Sequence, residues 1–506
     1  MADLEKNLRD DTSASDNELP AAARSTENST TSHEDNKDVE RNAPAAAPQS
    51  TPTPTTTTKP EIDSLPSGPA KNVPTANDAG SIPDGGLQAW LQVAGGFSLF
   101  FNTWYVPGSC LNLDFDRCLV KLRPSSSPTI SPVPVFQTYY ESGQLFQETS
   151  SNIAWIGAIQ SFLVLAVSTL AGPLFDRGYL RLLLVTGSFL VVFGYMMLSL
   201  CTEFWQCLLA QGFCVGLGGG MLFVPAVAIL PTYFKNKLGL AVGVAASGSS
   251  MGGVIYPIVF YRLVNQIGYA WATRVIGFIA LATLIVPCTV MKLRVKPGRV
   301  RSLVDLTAFT DWPYVLFVLG TFVGYCGLYV MFFYISFYGQ ARGITSTDLS
   351  FYLVPILNAG STLGRTVPNA ISDKTGPLNI LFPGALVCGA LIFGLVGVNT
   401  VGGIVAIAVL FGFFSGVFIA LPPVCIAVLT KDKSRIGTRI GMAFGVLAFA
   451  VLIGGPGGGG ILGGGDPADL NFTGLWAFGG CVATASSLVI LALRIQRAGV
   501  KLAVKV

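Results

Sequence analysis

The chain has 506 residues, of which 51% are hydrophobic and 12% are charged, with a net charge of +4. Soluble domains carry about 25% charged residues, so this composition excludes an ordinary soluble protein. The single histidine, His33, lies near the N-terminus, which excludes a proton relay through membrane histidines. Ten cysteines without a Cys-x-x-Cys pair are typical of buried thiols rather than of a zinc site or a disulfide framework.

Residues 1–83 differ in composition from the rest of the chain. They contain no Phe, Trp or Tyr and are rich in Ser, Thr, Pro and Ala. Such a segment buries too little apolar surface to offset its ordering entropy, so we expect a disordered cytosolic tail. It also lacks the apolar core of a cleavable signal peptide, and we therefore expect the first spanning helix to direct membrane insertion.

Apolar runs long enough to cross a bilayer follow one another from Leu87 to Leu493. A spanning helix needs about 20 residues, and the backbone of a lipid-embedded segment must pair internally. The sequence therefore predicts an all-α membrane protein with twelve spans, in two groups of six on either side of a basic joint. The predicted spans are 87–106, 152–172, 182–202, 204–224, 238–260 and 272–291, then 313–334, 348–369, 377–397, 401–423, 440–463 and 474–493.

These spans divide the chain into a tail at 1–83, an N-terminal half at 84–291, a loop at 292–312, a C-terminal half at 313–493 and a tail at 494–506. Lys and Arg favour cytosolic loops. With both termini in the cytosol, the inner loops and the C-terminal tail hold eighteen of these residues and the outer side holds six. We therefore expect both tails inside the cell, with the protein in the plasma membrane or, alternatively, the vacuolar membrane.

The turns after the second and eighth spans repeat the same chemistry. Asp176 and Arg177 stand in the first turn and Asp373 and Lys374 in the second, each followed by a glycine. A carboxylate can cap a helix N-terminus, and glycine permits a tight turn. A generic polar hairpin would explain one turn alone, but matched positions in both halves indicate an internal repeat. The pattern resembles the inner-loop motif of the major facilitator superfamily, which implies a twelve-helix fold of two six-helix halves.

Two further motifs stand at the starts of the first and fifth spans. The first comprises Asp84, Gly85, Gly86 and Trp90, and the second comprises Tyr233, Phe234, Lys235 and Gly243. Together they resemble the two signatures of the monocarboxylate porter family in its fungal branch, which implies a transporter of organic acids. One departure is Asn236, where the family often has a second basic residue. The fifth span also lacks the antiporter motif expected of drug exporters.

Residues 105–134 do not fit this resemblance. Their prolines and charged residues forbid a spanning helix, whereas members of the family run the first helix directly into a segment like the one that begins at Val135. We interpret the insert as a gene-model error, such as a translated intron. The alternative is a genuine outer loop with a Cys110–Cys118 disulfide. Sequencing of the transcript distinguishes the two.

Arg365 is the only basic residue well inside a predicted span. Ionisable residues in membrane helices are costly and usually functional. Three- and four-residue steps, which keep side chains on one face of a helix, relate it to Asn358, Ser361, Thr362 and Asn369. Because a guanidinium grips a carboxylate through two parallel hydrogen bonds, we expect this stripe to face water and to bind the substrate. The alternative is an arginine that snorkels to the cytosolic interface or pairs with Asp373.

The resemblance to the porters implies the same role for Arg365, since they place an arginine at this point of the eighth helix. Well-known animal members have an acid one turn earlier, where this chain has Ser361, and a lysine in the first helix, which this chain lacks. Proton coupling through that pair is left open, as are facilitated diffusion and coupling at a rim carboxylate. Arg274, at the start of the sixth span, is a second candidate, and its simpler interpretation is an anchor at the outer interface.

Glycine clusters predict close helix contacts. The fifth span has two pairs of small residues four positions apart, Gly239 with Gly243 and Gly248 with Gly252. Small residues let helix backbones approach closely in lipid. The eleventh span contains the run 454–460, which is glycine apart from one proline. That composition predicts a broken or mobile helix.

The sequence thus predicts a secondary transporter that carries an organic anion, with or without a proton, by alternating access around a midplane site. The runner-up is an exporter of a fungal secondary metabolite on the same fold. A non-transporting nutrient sensor is less favoured, because no large cytosolic domain is evident. No cofactor, metal or nucleic-acid partner is indicated by the sequence. There is also no P-loop, the motif that binds the phosphates of a nucleotide. The lack of a nucleophile–base pair argues against an enzyme.

Overall fold

The chain folds into helices that run back and forth across one bundle. The computed structural model describes residues 84–103, 140, 145–148, 150–294, 304–463 and 470–499. Within those ranges it contains helices and turns and no strand. The N-terminal tail, the insert at 105–134 and the last seven residues lie outside the described residues.

Six spanning segments come from the first part of the chain. They are α1 (Leu87–Thr103), α2 (Ser150–Ala166 and Ser168–Asp176), α3 (Leu180–Leu198), α4 (Phe204–Cys207, Leu208–Val215, Gly216–Ala228 and Leu230–Thr232), and then α5 and α6, which share the single continuous element Leu238–Val290. Within α4, Leu208–Val215 is a π-helix.

Six more come from the second part. They are α7 (Trp312–Ala341), α8 (Thr347–Thr375), α9 (Pro377–Gly394 and Leu395–Gly397), α10 (Val401–Ala420 and Pro422–Leu429), α11 (Ile436–Leu462) and α12 (Phe472–Ala498). A short helix, Thr307–Thr310, precedes α7. The predicted spans agree with these twelve segments to within a few residues at most of their ends.

One junction explains why two spans share one element. Leu238–Val290 has 53 residues, and at 1.5 Å per residue it would be about 80 Å long, far longer than a bilayer core of about 30 Å. Gly268 breaks the helical backbone with φ 77°, a conformation that glycine adopts without steric cost. Gly268 therefore separates α5 from α6. By length and apolarity, nine helices of the described residues can cross a membrane, with α5 and α6 counted as one and the short α1 and the polar α8 not counted.

The two groups of six meet along two seams. On one, α5 packs against α8, and on the other α2 packs against α11. In α5, Gly239 and Gly243 lie against backbone carbonyls of Asn369 and Arg365 in α8. One and two turns further along, Gly248 and Gly252 lie against carbonyls in α1. The predicted close contacts of the fifth span are thus confirmed, and they serve two different neighbours.

The expectation of a broken eleventh helix is wrong, because α11 is one continuous helix from Ile436 to Leu462. Two glycines of the run face crowded surfaces: a Cβ at Gly454 would lie 2.5 Å from the carbonyl oxygen of Cys326, and one at Gly458 would lie 2.9 Å from the ring of Tyr334. Close packing against α7 therefore outweighs the poor helix propensity of glycine. The eight cysteines of the described residues are free thiols.

Candidate functional site

Arg365 lies deep inside the bundle. It stands ten residues before the C-terminal end of α8, which is about 15 Å along the helix axis. Its side chain is 5% exposed. A snorkelling arginine would place its guanidinium at the interface, and the structure does not support that alternative.

The guanidinium of Arg365 is held by two helices. Its Nε donates to the hydroxyl of Ser361, one turn earlier in α8, at 3.1 Å. Its Nη1 donates to the carbonyl oxygen of Ala246 in α5 at 2.9 Å, and to the hydroxyl of Ser249. Among the described residues no hydrogen bond engages Nη2, and no ion pair joins Arg365 to a carboxylate, Asp373 included. The site therefore presents a buried positive charge with spare donors.

The rest of the α8 stripe is covered by two helices: Ser361 Oγ lies beside Gly416 of α10, whereas Asn358 and Asn369 lie against glycines of α5. Ser361 and Asn369 are fully buried, while the amide of Asn358 packs against Gly253 and donates to the carbonyl of Val354 at 3.1 Å. In this conformation the stripe contacts α5 and α10 instead of facing open water, because glycines let these helices approach closely. The helical period relates these residues along α8, but it could not identify what covers them.

The Asn369 side chain is unusual, because neither its amide nitrogen nor its amide oxygen has a hydrogen-bond partner within the described part of the chain. A buried amide without partners costs about 1–3 kcal/mol. The seam thus encloses a polar group, one turn from Arg365, that gains hydrogen bonds when water or a ligand reaches it.

A small cavity of about 10 Å³, room for about one water molecule, lies beside this site. Helices of both groups line it, through Phe100, Phe223, Val227, Val242, Ala246, Tyr325, Ile419, Ala420, Pro423 and Phe444. The phenylalanine rings contact one another: the Phe223 centroid is 5.8 Å from that of Phe100 and 4.7 Å from that of Phe444. The cavity is therefore apolar, and four of its ten lining residues are aromatic.

Two residues connect the cavity to Arg365. Ala246 lines the cavity, and its carbonyl oxygen accepts a hydrogen bond from the guanidinium. Tyr325 also lines it and lies close enough to Arg365 to interact with it electrostatically. The Tyr325 hydroxyl is buried and has no hydrogen-bond partner among the described residues. A ligand in the cavity would thus lie beside both a cation and an unpaired phenol.

The repeated acidic turns join the two groups of helices. Asp373, at the end of α8, accepts from the N–H groups of Gly239 at 2.6 Å and Leu240 at 2.9 Å, in the first turn of α5. Asp176, at the end of α2, accepts from the N–H groups of Gly437 at 3.1 Å and Thr438 at 2.6 Å, in the first turn of α11. Each acid therefore caps a helix of the other group. Both caps lie on the predicted cytosolic face, where they close the bundle.

Glycines shape both of these turns. Gly178 follows Asp176 and Arg177 with φ 93°, and Gly376 follows Asp373 and Lys374 with φ 97°. Both values lie in the region that favours glycine. The turn conformation expected from the sequence repeat is thus present in both halves, whereas the identity of the capped helices was not predictable from sequence spacing.

The two signature motifs form one structural unit. Asp84 Oδ1 accepts from the N–H groups of Lys235 at 2.7 Å and Asn236 at 2.8 Å. Burial opposes ionisation of Asp84, but these backbone donors and that of Lys237 outweigh it and lower the pKa of the carboxyl below its usual value. The ring of Trp90 packs edge-to-face on Phe234, with centroids 5.4 Å apart.

The backbone permits this contact. Asp84 has φ 54° and Gly86 has φ 91°, so the chain turns sharply before α1 begins, and Gly85 stands between them. The N–H of Asp84 also donates to the carbonyl of Tyr233 at 3.2 Å. The motif before α1 therefore fixes the loop that leads into α5.

An ion-pair network on the predicted cytosolic face has no sequence signature. Asp305 pairs with Arg435 at 2.7 Å and with Arg439 at 3.0 Å, and Arg439 also pairs with Asp311 at 2.8 Å. Burial of Asp305 opposes its ionisation, but hydrogen bonds from Thr307 and Arg439 and the arginine charges lower its pKa below the usual value. The network ties the segment before α7 to the start of α11.

Arg274, the second candidate, lies away from Arg365 and contacts the end of α3 and its own helix. Its Nε donates to the Ser199 hydroxyl at 3.1 Å, and its guanidinium carbon lies 4.9 Å from the centroid of the Trp271 ring. An arginine on a partly exposed tryptophan near a helix end suits an interfacial anchor, in agreement with the simpler interpretation.

Twelve packed spans, a central cavity and paired caps between two groups of helices define a membrane carrier. The family profile described as Major Facilitator Superfamily matches residues 129–455. The chain belongs to this superfamily.

Named relatives agree with that assignment. The MFS-type transporter dbaD of Emericella nidulans is 53% identical over 407 residues, which is 80% of this chain and 86% of that protein. The aspyridones efflux protein apdF of the same organism is 35% identical over 420 residues, covering 82% and 81% of the two chains. The agnestins efflux protein AgnL12 of Paecilomyces divaricatus is 35% identical over 363 residues, covering 72% and 82%. These names confirm a transporter and not an enzyme.

A solved structure shares the fold. The human organic anion transporter MFSD10 (TETRAN) superposes with a TM-score of 0.57 at 13% identity, over 80% of this chain and 98% of its own. At that identity the similarity supports the fold alone. The superfamily resemblance of the sequence motifs is thus confirmed, whereas the similar proteins are named as transporters and efflux proteins and not as monocarboxylate porters.

Proposed function

We propose that this carrier exports a small organic anion with an aromatic or otherwise apolar body, of the kind made in fungal secondary metabolism. Two similar proteins carry the name efflux protein, each with a named product. This supports export of a secondary metabolite over the transport of simple monocarboxylates, in an unspecified direction, that the sequence motifs favoured. The observation that carries the proposal is the buried, unneutralised Arg365 beside an aromatic cavity.

The charge of Arg365 argues for an anionic cargo. A buried charge is costly unless it is paired, and no carboxylate pairs with Arg365 in the described part of the chain. Its two hydrogen bonds from Nη1 go to neutral oxygens. A carboxylate or an acidic enol would supply the missing negative charge and accept from Nη2, so it binds there in preference to a neutral group.

The aromatic walls of the cavity favour a cargo whose uncharged part contains a ring. The three phenylalanines and Tyr325 offer flat apolar surfaces, which favour offset or edge-to-face contact with a ring. Short aliphatic acids would leave most of this surface uncovered. When the cavity widens in an open conformation, an acid with a ring system places its charge at Arg365 and its body against these walls.

The cargo crosses the membrane by alternating access in this proposal. In the proposed division, residues 84–291 and 313–493 rock as two halves about the site. The caps at Asp176 and Asp373 close the predicted cytosolic face, so cargo enters from the cytosol when both caps open. Both termini on the cytosolic side and location in the plasma membrane belong to the same proposal.

A second candidate is uptake of an organic acid by a monocarboxylate-type porter. It is favoured by the two signature motifs, whose residues Asp84, Trp90, Phe234 and Lys235 contact one another. Growth of yeast cells in an inhibitory aromatic acid separates the two candidates. Export predicts resistance and a lower cell content of the acid in cells that express the carrier, whereas uptake predicts the opposite.

Transport by proteoliposomes tests the site itself. Wild-type carrier is expected to move 1-naphthoate faster than the neutral 1-naphthamide. The variant Arg365→Gln should move 1-naphthoate about ten- to hundredfold more slowly, because it loses a charge-assisted hydrogen-bond pair. Arg274→Gln is the matched control and should keep the wild-type rate. Equal rates for Arg365→Gln and wild type, with both correctly folded, would contradict the proposal.

A further inference from the structure

The middle of the α5–α8 seam is joined by one polar contact. Arg365 Nη1 donates to the Ala246 carbonyl and the Ser249 hydroxyl, and that hydroxyl itself donates to the Ala246 carbonyl at 2.7 Å. Arg365 and Ser249 are 5% and 3% exposed. The other hydrogen bonds between the two helices, among the described residues, lie near the ends of the seam, as at Asp373 and at Tyr261.

The two acceptor oxygens of this contact resemble the two oxygens of a carboxylate. The Ala246 carbonyl oxygen and the Ser249 hydroxyl oxygen are adjacent acceptors on one nitrogen of the guanidinium, in the place where the two oxygens of a carboxylate could bind. They carry no net charge, and they leave Nη2 without a partner in the described residues. A carboxylate offers the charge and an acceptor for each of two nitrogens, which makes it the stronger partner.

We infer that Ser249 and the Ala246 carbonyl form an internal substitute for the acidic group of the cargo, which holds α8 to α5 in the empty carrier and is displaced when the cargo binds Arg365. This inference rests on the proposed function of Arg365. Ser249 is then a positioning residue that acts through the arginine. Binding of an anion releases the seam, whereas a neutral compound cannot compete with the two oxygens, and a ligand shifts a conformational equilibrium only through such differential affinity.

The empty carrier provides the first test, which needs no ligand. Ser249→Ala weakens the tie by removing one of its two acceptors, and the Ala246 carbonyl remains. The neighbouring Ser250→Ala is the matched control, because the Ser250 hydroxyl is buried without a partner among the described residues. Hydrogen exchange of the full-length carrier is measured at the start of α5 and in α8. We expect about fivefold faster exchange in Ser249→Ala than in Ser250→Ala, which should match wild type. Equal exchange in the two variants would overturn the inference.

Binding of 1-naphthoate provides the second test. Removal of an internal competitor should tighten binding about tenfold in Ser249→Ala and leave it unchanged in Ser250→Ala. Arg365→Gln should lose binding, and 1-naphthamide should bind none of the proteins preferentially. If wild type binds 1-naphthoate and Arg365→Gln does not, but Ser249→Ala binds like wild type, displacement is refuted while the anion site stands. If Arg365→Gln binds 1-naphthoate like wild type, or wild type does not bind it, the anion site itself fails, and the exchange experiment alone decides whether the tie exists.

Discussion

The two acidic caps should open together if the halves move as rigid units. Replacing Asp373 with Asn keeps at most one of the hydrogen bonds to Gly239 and Leu240 and removes the negative charge at the start of α5. Loss of an N-terminal cap costs about 1–2 kcal/mol, which raises the population of the cytosol-open state about five- to thirtyfold. Asp176→Asn removes the equivalent contacts with Gly437 and Thr438 and should have a similar effect.

Hydrogen exchange read at the opposite cap provides the assay. Asp373→Asn frees the α5 amides directly, so the informative signal is faster exchange at residues 437–438, and for Asp176→Asn it is faster exchange at residues 239–240. Asp348→Asn is the control, since Asp348 lies at the other end of α8, where it accepts from the Tyr261 hydroxyl at 3.1 Å. If each variant loosens its own cap alone, the halves do not rock as units and the reasoning is refuted.

Two further variants probe the seam and the signature motifs. A Cβ at Gly243 would meet the Arg365 carbonyl and lie 2.8 Å from Asn369 Cβ, so Gly243→Ala should destabilise the closed seam by about 1–3 kcal/mol. Gly402→Ala, where a Cβ meets open space, should not, and the two melting temperatures check this. Asp84→Asn should lower the melting temperature at neutral pH. Because the pKa of Asp84 is depressed, the stabilising effect of its carboxylate is complete above about pH 4 and is lost as the pH falls through the folded pKa. The difference from wild type should therefore shrink in acid, and a difference that stays constant to low pH would contradict the assigned charge.

The spans were predictable because a bilayer imposes a length on every apolar run. The joint at Gly268 replaces a loop, yet the apolar pattern still separated α5 from α6. The acidic turns were predictable as turns, since Asp176 and Asp373 repeat in equivalent positions. Which helices they cap depends on tertiary packing, which local spacing does not encode.

The site was predictable only in part, for three physical reasons. Periodicity related Arg365, Ser361 and Asn369 along α8, but it did not identify the helices that cover them. The Ala246 carbonyl is a backbone group, so no residue type marks it as an acceptor. Asp305 lies in a loop whose ion pairs depend on the position of α11. The direction of transport depends on the gradients of the cargo and of any coupled ion, which no motif in the chain encodes.

Chemical rescue at position 365 tests the central claim most directly. Arg365→Ala leaves room beside α5 for a small planar cation, and transport of 1-naphthoate by this variant is measured in proteoliposomes with millimolar guanidinium or with urea, its neutral counterpart. The account predicts slow transport that guanidinium partly restores and urea does not. Transport by Arg365→Ala at the wild-type rate, or equal restoration by urea, would contradict the claim that a buried positive charge binds the cargo.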